Sequence, residues 1–230
     1  MCRRRQLVLG LLSVALTMSG SMQAADTNLG SVSRDQLCVT EGTIVGTGQQ
    51  LAVNVPKMRA YVEERTPPVV EVRFKYLGST GNEARLGSGE LRRQFGLKLR
   101  AQDACNLVYA MWRIEPESKL VVSVKTNPGE HTSAQCGNRG YRNIKPRRTG
   151  PLPQLREGER HSLRGEMRGE EMRVFVDDRV VWEGSVGGDA LDFDGPVGIR
   201  SDNAKLEFEL WSGQARQPAE RVGCRTGDSD

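Results

Sequence analysis

Residues 69–78 read VVEVRFKYLG, and the order within that run restricts the fold more than any compositional total. Val70, Val72, Phe74 and Tyr76 take one side of an extended chain, while Glu71, Arg73 and Lys75 take the other. Successive side chains of a β-strand point to opposite faces. A period of two with one apolar face therefore predicts a strand that is dry on one side and wet on the other. RQFGLKLRAQ, from Arg93, repeats the pattern, with Phe95, Leu97 and Leu99 inward and Gln94, Gly96, Lys98 and Arg100 outward.

NLVYAMWRIEPESKLVVSVKTN, from Asn106 to Asn127, holds two such runs joined by a short turn. Val108, Ala110, Trp112, Ile114, Leu120, Val122 and Val124 form its oily side. Placing Ile114 opposite Leu120 sets Trp112 against Val122 and Ala110 against Val124, so both strands bury the same face. The other face then gathers Tyr109, Arg113, Ser123 and Lys125. Lys98 and Arg100 join them if the preceding strand is the hairpin's neighbour.

A second group follows a loop from Pro128 to Gly158. HSLRGEMRG puts Leu163 and Met167 on one face, and EEMRVFVDDRVVWEG puts Met172, Val174 and Val176 ahead of an Asp177-Asp178 turn. In the closing run Leu206, Phe208 and Leu210 alternate with Glu207, Glu209 and Trp211. Before Val62 the pattern is weaker: QQLAVNVP reads as a strand ended by Pro56, and RAYVEE suits either a strand or a short helix. With 26 glycines and 10 prolines for turns and almost no sustained helical period, the chain is expected to be all-β. The fold class is an antiparallel two-sheet sandwich or jelly roll.

The N-terminus predicts export. Arg3, Arg4 and Arg5 precede an apolar run from Leu7 to Met18, and small residues follow up to Ala24 and Ala25. This is the order of a secretory signal peptide over 1–25, and the run is shorter than the roughly 20 apolar residues a membrane span needs. The remaining domain covers 26–230, with its core over about 36–212, a length suited to one sandwich. Export to the periplasm or beyond is the expected destination. The chain has 33 Lys and Arg against 29 Asp and Glu; losing the leader's three arginines leaves 30 against 29, a balance of +1. Global charge therefore gives no case for a nucleic-acid partner. Beyond the leader no segment is long and apolar enough to cross a membrane, and nothing in the sequence sets the oligomeric state.

Four cysteines remain after the leader: Cys38, Cys105, Cys136 and Cys224. An even count in an exported protein suggests two disulfides, with three connectivities open. The expected pairing is Cys105–Cys136, which flanks the hairpin and ties down the loop after it, with Cys38–Cys224 joining the two ends of the domain. The spacing is not that of a zinc site.

The run GERHSLRGEMRGEEMRVFVDDRVVWEG…GPVGIRSDNAKLEFEL resembles the concanavalin A-like lectin/glucanase superfamily, laminin-G-like domains included. There a "vyvDg" hairpin is followed by "G.vGlrs" and by a strand returning beside the chain's start. The match spans about Glu157 to Trp211, with Asp178 in place of the usual turn glycine. The resemblance implies a concanavalin A-like jelly roll of two curved antiparallel sheets, with ligands on the concave face or at the rim loops.

Catalytic patterns of similar enzymes are incomplete. Retaining glucanases of this fold carry E-x-D-x-x-E on one strand; LEFEL offers only Glu207 and Glu209. Alginate-lyase-like enzymes carry R-[ST]-E-L-R, and SGELRRQFG holds Glu90, Leu91 and Arg92 of it, with Ser88 where the first arginine belongs. Their Q-[IV]-H motif has no counterpart. Glu90, Arg92, His131 and Tyr141 are thus the candidates for the alternative, a lyase-type polysaccharide-active enzyme. Asp189, Asp192 and Asp194 of GGDALDFDG are weak calcium candidates at a sandwich edge; no other cofactor is indicated.

The leading expectation is a non-catalytic binder of a glycan or cell-envelope polymer, polar or anionic. Its contact residues are Lys98, Arg100, Tyr109, Arg113, Ser123 and Lys125, joined by Arg139, Tyr141 and Arg142 from the acid-free stretch NRGYRNIKPRRTG. An exposed tyrosine stacks on a sugar ring, and a guanidinium grips a carboxylate or sulfate through two hydrogen bonds. A module that binds another envelope protein is the third reading.

Overall fold

The computed structural model describes residues 28–214 and 220–224; the expected leader lies outside them. In chain order the strands are β1 (Leu29–Val32), β2 (Leu37–Glu41), β3 (Val45–Thr47), β4 (Gln50–Val53), β5 (Lys57–Val62) and β6 (Val69–Ser79). β7 (Arg93–Leu99), β8 (Leu107–Glu115) and β9 (Lys119–Lys125) come next, followed by a one-turn helix α1 (Ser133–Cys136), β10 (Tyr141–Asn143) and β11 (Arg148–Thr149). The chain closes with β12 (Arg160–Arg168), β13 (Glu171–Val176), β14 (Arg179–Ser185), β15 (Gly198–Asp202) and β16 (Ala204–Gly213). RAYVEE resolves to a strand, β5. Among the described residues no helix is long and apolar enough to cross a membrane.

All pairings are antiparallel and form two sheets. One runs β11-β14-β13-β12-β6-β16-β4-β3, with β1 paired to the far part of β16; the other runs β10-β9-β8-β7-β15-β5-β2. The alternation dictates what lies between them. Val70, Val72, Phe74 and Tyr76 from β6 and Phe95, Leu97 and Leu99 from β7 are all buried, as are Leu163, Met172, Val174, Leu206 and Phe208. Phe74 meets Phe95 edge-on at 4.5 Å and Trp112 at 6.0 Å, so the aromatic centre of the core links both layers. Gly165 in β12 shows how closely the layers approach: a Cβ there would come within 3.1 Å of Leu97 Cδ1.

The hairpin register corrects one expectation. Trp112 pairs with Leu120, Ala110 with Val122 and Val108 with Val124, so the turn centres on Pro116. Proline lacks an N–H and is excluded from the ladder, which moves the pairing by two positions. A shift of two keeps every side chain on its own face, and Trp112 remains fully buried. At the β13–β14 turn Asp177 and Asp178 take φ of 49° and 60°. Positive φ at both central residues is what a type I′ turn requires, and aspartate tolerates it. Both disulfides form as expected, Cys38–Cys224 with Cα atoms 5.0 Å apart and Cys105–Cys136 with 5.8 Å.

Candidate functional site

The outward face of the seven-stranded sheet holds a groove of about 400 Å³. Three rows of the ladder cross it. Arg113 and Gln94 are cross-strand partners in the first. The second runs Val121–Met111–Gly96–Arg200, and the third Asn143–Ser123–Tyr109. Gly96 keeps the middle low, because a Cβ there would come within 2.9 Å of Met111 Sδ and closer still to the β8 backbone.

Beneath this face lies a buried charge network. Asp202 is fully buried and receives Arg59 Nη2 at 2.6 Å, Gln94 Nε2 at 2.7 Å and Arg200 Nε at 3.0 Å. Burial alone would raise the Asp202 pKa, but Arg200 and Arg59, helped by Gln94, hold it well below the usual carboxylate range. Arg200 is thereby fixed at the floor, its guanidinium 5.1 Å from the centre of the Tyr109 ring.

One wall is the loop from Leu86 to Arg92. Asn203, at φ 58° in the β15–β16 turn, anchors it: its Nδ2 donates to the carbonyls of Ala84 and Arg92, each at 2.9 Å, and its Oδ1 accepts from Ala84 N at 2.8 Å. On this wall Glu90 pairs with Arg92 and accepts from Ser88 Oγ at 3.1 Å. The Ser88 hydroxyl first and then the Arg92 charge keep its pKa low. The opposite wall holds Asn138 and Tyr141, the former two residues past Cys136 and its disulfide.

Arg113 is the groove's unmatched cation. Among the described residues it makes no hydrogen bond or ion pair, and its Nε is sealed without a partner. Burial lowers its pKa, Arg92 pushes the same way and Glu90 and Glu117 oppose. A guanidinium remains charged through such a shift, so this corner presents a partly buried positive charge with no ion-pair partner among the described residues.

The nine residues expected to share a contact surface divide. Tyr109, Arg113, Ser123 and Tyr141 line the groove; Lys98, Arg100, Lys125, Arg139 and Arg142 do not. The exposed platform expected at Tyr109 is a correction: that ring is 1% exposed, covered by the parallel Tyr141 ring at 6.1 Å and by Arg200. Tyr141, 38% exposed, is the aromatic on the surface. Lys98 and Lys125 point outward yet are buried, and Lys125 Nζ donates to Ala104 O at 2.8 Å. Arg100 leaves the strand at φ 50° and donates to Phe193 O at 3.0 Å. Arg139 pairs with Glu130 at 2.7 Å and Arg142 with Asp189 at 2.6 Å. A continuous basic strip is therefore not what the fold builds, because most of these cations are spent on local acids and carbonyls.

The alternative catalytic set divides too. Glu90, Arg92 and Tyr141 line the groove, whereas His131 does not, its Nδ1 lying 2.8 Å from buried Asp103. The three aspartates do not converge as ligands. Asp189 is held by Arg142, Asp194 by Arg65 at 2.9 Å, and Asp192 follows a 3-10 turn. Among the described residues no acid, histidine or cysteine cluster could hold a metal ion. Gln94, Met111, Asn138, Asn143 and Arg200 are groove residues that sequence reasoning missed. Gln94 was placed on the correct face, and Arg200 becomes visible only once β15 is known to lie beside β7.

No protein-family model matches the chain, and no curated protein matches it in sequence. Among solved structures it is similar to a mutant of the Emp46p carbohydrate recognition domain, at 12% identity and TM-score 0.50, over 77% of this chain and 87% of that one. It is also similar to carbohydrate binding module CBM66 from Bacillus subtilis, at 19% identity and TM-score 0.47, over 76% and 92%. Apo Crh5 transglycosylase gives 12% identity and TM-score 0.49, over 87% and 90%. The fold of this chain is the concanavalin A-like sandwich.

Proposed function

We propose that this chain is an exported, non-catalytic glycan-binding protein that takes a polar, acidic polysaccharide into the groove of the seven-stranded sheet. Arg113 carries the reading: a half-buried guanidinium with no partner, lining a groove of about 400 Å³, a volume within the range of about 300–1,000 Å³ usual for ligand sites. A carboxylate or sulfate on a sugar would complete its hydrogen bonding. Tyr141 adds an exposed aromatic on the opposite wall of the groove. The carbohydrate recognition domain among the similar structures is in keeping with a glycan partner.

Export rests on the leader expected over 1–25 and accords with two disulfides, which persist in oxidising compartments. The absence of a lyase role rests on Glu90 and Arg92 engaging each other while His131 stays outside the groove. A glycan array probed with residues 26–230 at low and high salt tests the proposal. Salt-sensitive retention of acidic glycans is expected, and uniform failure to retain any glycan would refute it.

A further inference from the structure

The groove has two chemically distinct ends. At the Arg113 row the walls are charged, with Arg92 and Glu90 paired and Arg113 unmatched. At the Ser123 row the polar groups are neutral: the side-chain amides of Asn138 and Asn143 and the Ser123 hydroxyl make no hydrogen bond among the described residues. The nearby cations are committed, Lys125 to Ala104 O and Arg200 to Asp202. Between the ends lies a small apolar strip of Met111 and Val121, lowered at Gly96. The two polar rows are four residues apart along β8, about 13 Å at the usual rise of a strand.

We infer that the groove recognises a repeating glycan in which an acidic sugar neighbours an N-acetylated one, an inference that rests on the glycan-binding reading above. A carboxylate satisfies Arg113. An acetamido group fits the other end in both of its parts, since its methyl lies on the Met111–Val121 strip while its N–H and carbonyl meet groups able to donate and accept at Asn138, Asn143 and Ser123. A purely acidic polymer leaves the neutral end without a match, and a purely acetylated one leaves Arg113 desolvated and unpaired, the costlier error. Two sources carry this chemistry: a copolymer of a uronic acid with an N-acetylhexosamine, and the wall glycan strand whose acid is borne on an acetylated sugar.

The test is calorimetric titration of residues 26–230 with four oligosaccharides of matched length: a hyaluronan fragment, a peptide-free murein strand, an alginate fragment and a chitin fragment. Hyaluronan or murein is expected to bind about tenfold or more tightly than alginate and chitin, and whichever of the two leads identifies the source. Asn143→Ala should erase the advantage over alginate by weakening the acetylated acids more than it weakens alginate, and Arg113→Gln should erase the advantage over chitin. Alginate binding as tightly as both acetylated acids, or Asn143→Ala weakening all ligands equally, overturns this inference and leaves the acidic-glycan reading standing. Silence from all four removes both.

Discussion

Asp202 and Arg59 form a sealed ion pair under the groove, Oδ1 to Nη2 at 2.6 Å, with side chains 0% and 1% exposed. Removing the carboxylate takes from a fully buried guanidinium its shortest ion pair, leaving Glu41 at 3.9 Å as a more distant acid. Asp202→Asn should therefore destabilise the domain by about 3–5 kcal/mol in urea unfolding. It should also loosen Arg200, which the same carboxylate holds at 3.0 Å.

The same residue gives a pH dependence of defined sign. Its folded pKa lies below the unfolded value of about 3.9, so its contribution is complete above that value and is lost as pH falls through the folded one. Thermal melts on descending pH should show stability falling below about pH 4. Asp202→Asn should flatten that portion of the slope; an identical slope in the variant would separate acid lability from this carboxylate.

Asn203 couples a turn to a binding wall. Replacing it with alanine removes three hydrogen bonds to the 84–92 segment and puts a less tolerant residue at positive φ. A loss of about 1–3 kcal/mol is expected. Faster amide exchange at Ala84, concentrated in that loop, is the measurement that distinguishes this from general weakening.

The two disulfides should separate in their effects. Replacing Cys38 and Cys224 with serine opens a loop of sequence separation 186, so global stability should fall by about 2–5 kcal/mol while ligand affinity at low temperature holds. Replacing Cys105 and Cys136 frees the segment leading to Asn138 and Tyr141, so affinity should fall even where the domain stays folded. Titration of both double variants against an acidic glycan, alongside unfolding curves, checks this.

The inner layer was legible because burial on one face of a strand forces alternation: Val70 to Tyr76, Phe95 to Leu99 and Trp112 all lie where their period puts them. The outer face was legible only as a direction. Tyr109 and Lys125 point outward, yet Tyr141 arrives from β10, over thirty residues after Tyr109, to cover one, and the Ala104 carbonyl receives the other. Local period cannot report which distant segment lies over a sheet. The groove's missed residues share this cause, since Arg200 and Asn143 join Tyr109 only through pairings between strands far apart in the chain. The hairpin slip by two was invisible to periodicity for the same physical reason that made it harmless.

The central claim is that an acidic glycan docks at Arg113. It is tested most directly by retention on an immobilised acidic polysaccharide at low and high salt, comparing the native protein with Arg113→Glu and with Arg164→Glu on the opposite sheet. The account predicts that Arg113→Glu weakens low-salt retention about tenfold or more, as loss of a charge-assisted hydrogen bond does, while Arg164→Glu binds like the native protein. Native-like retention by Arg113→Glu, with loss in Arg164→Glu, would contradict it.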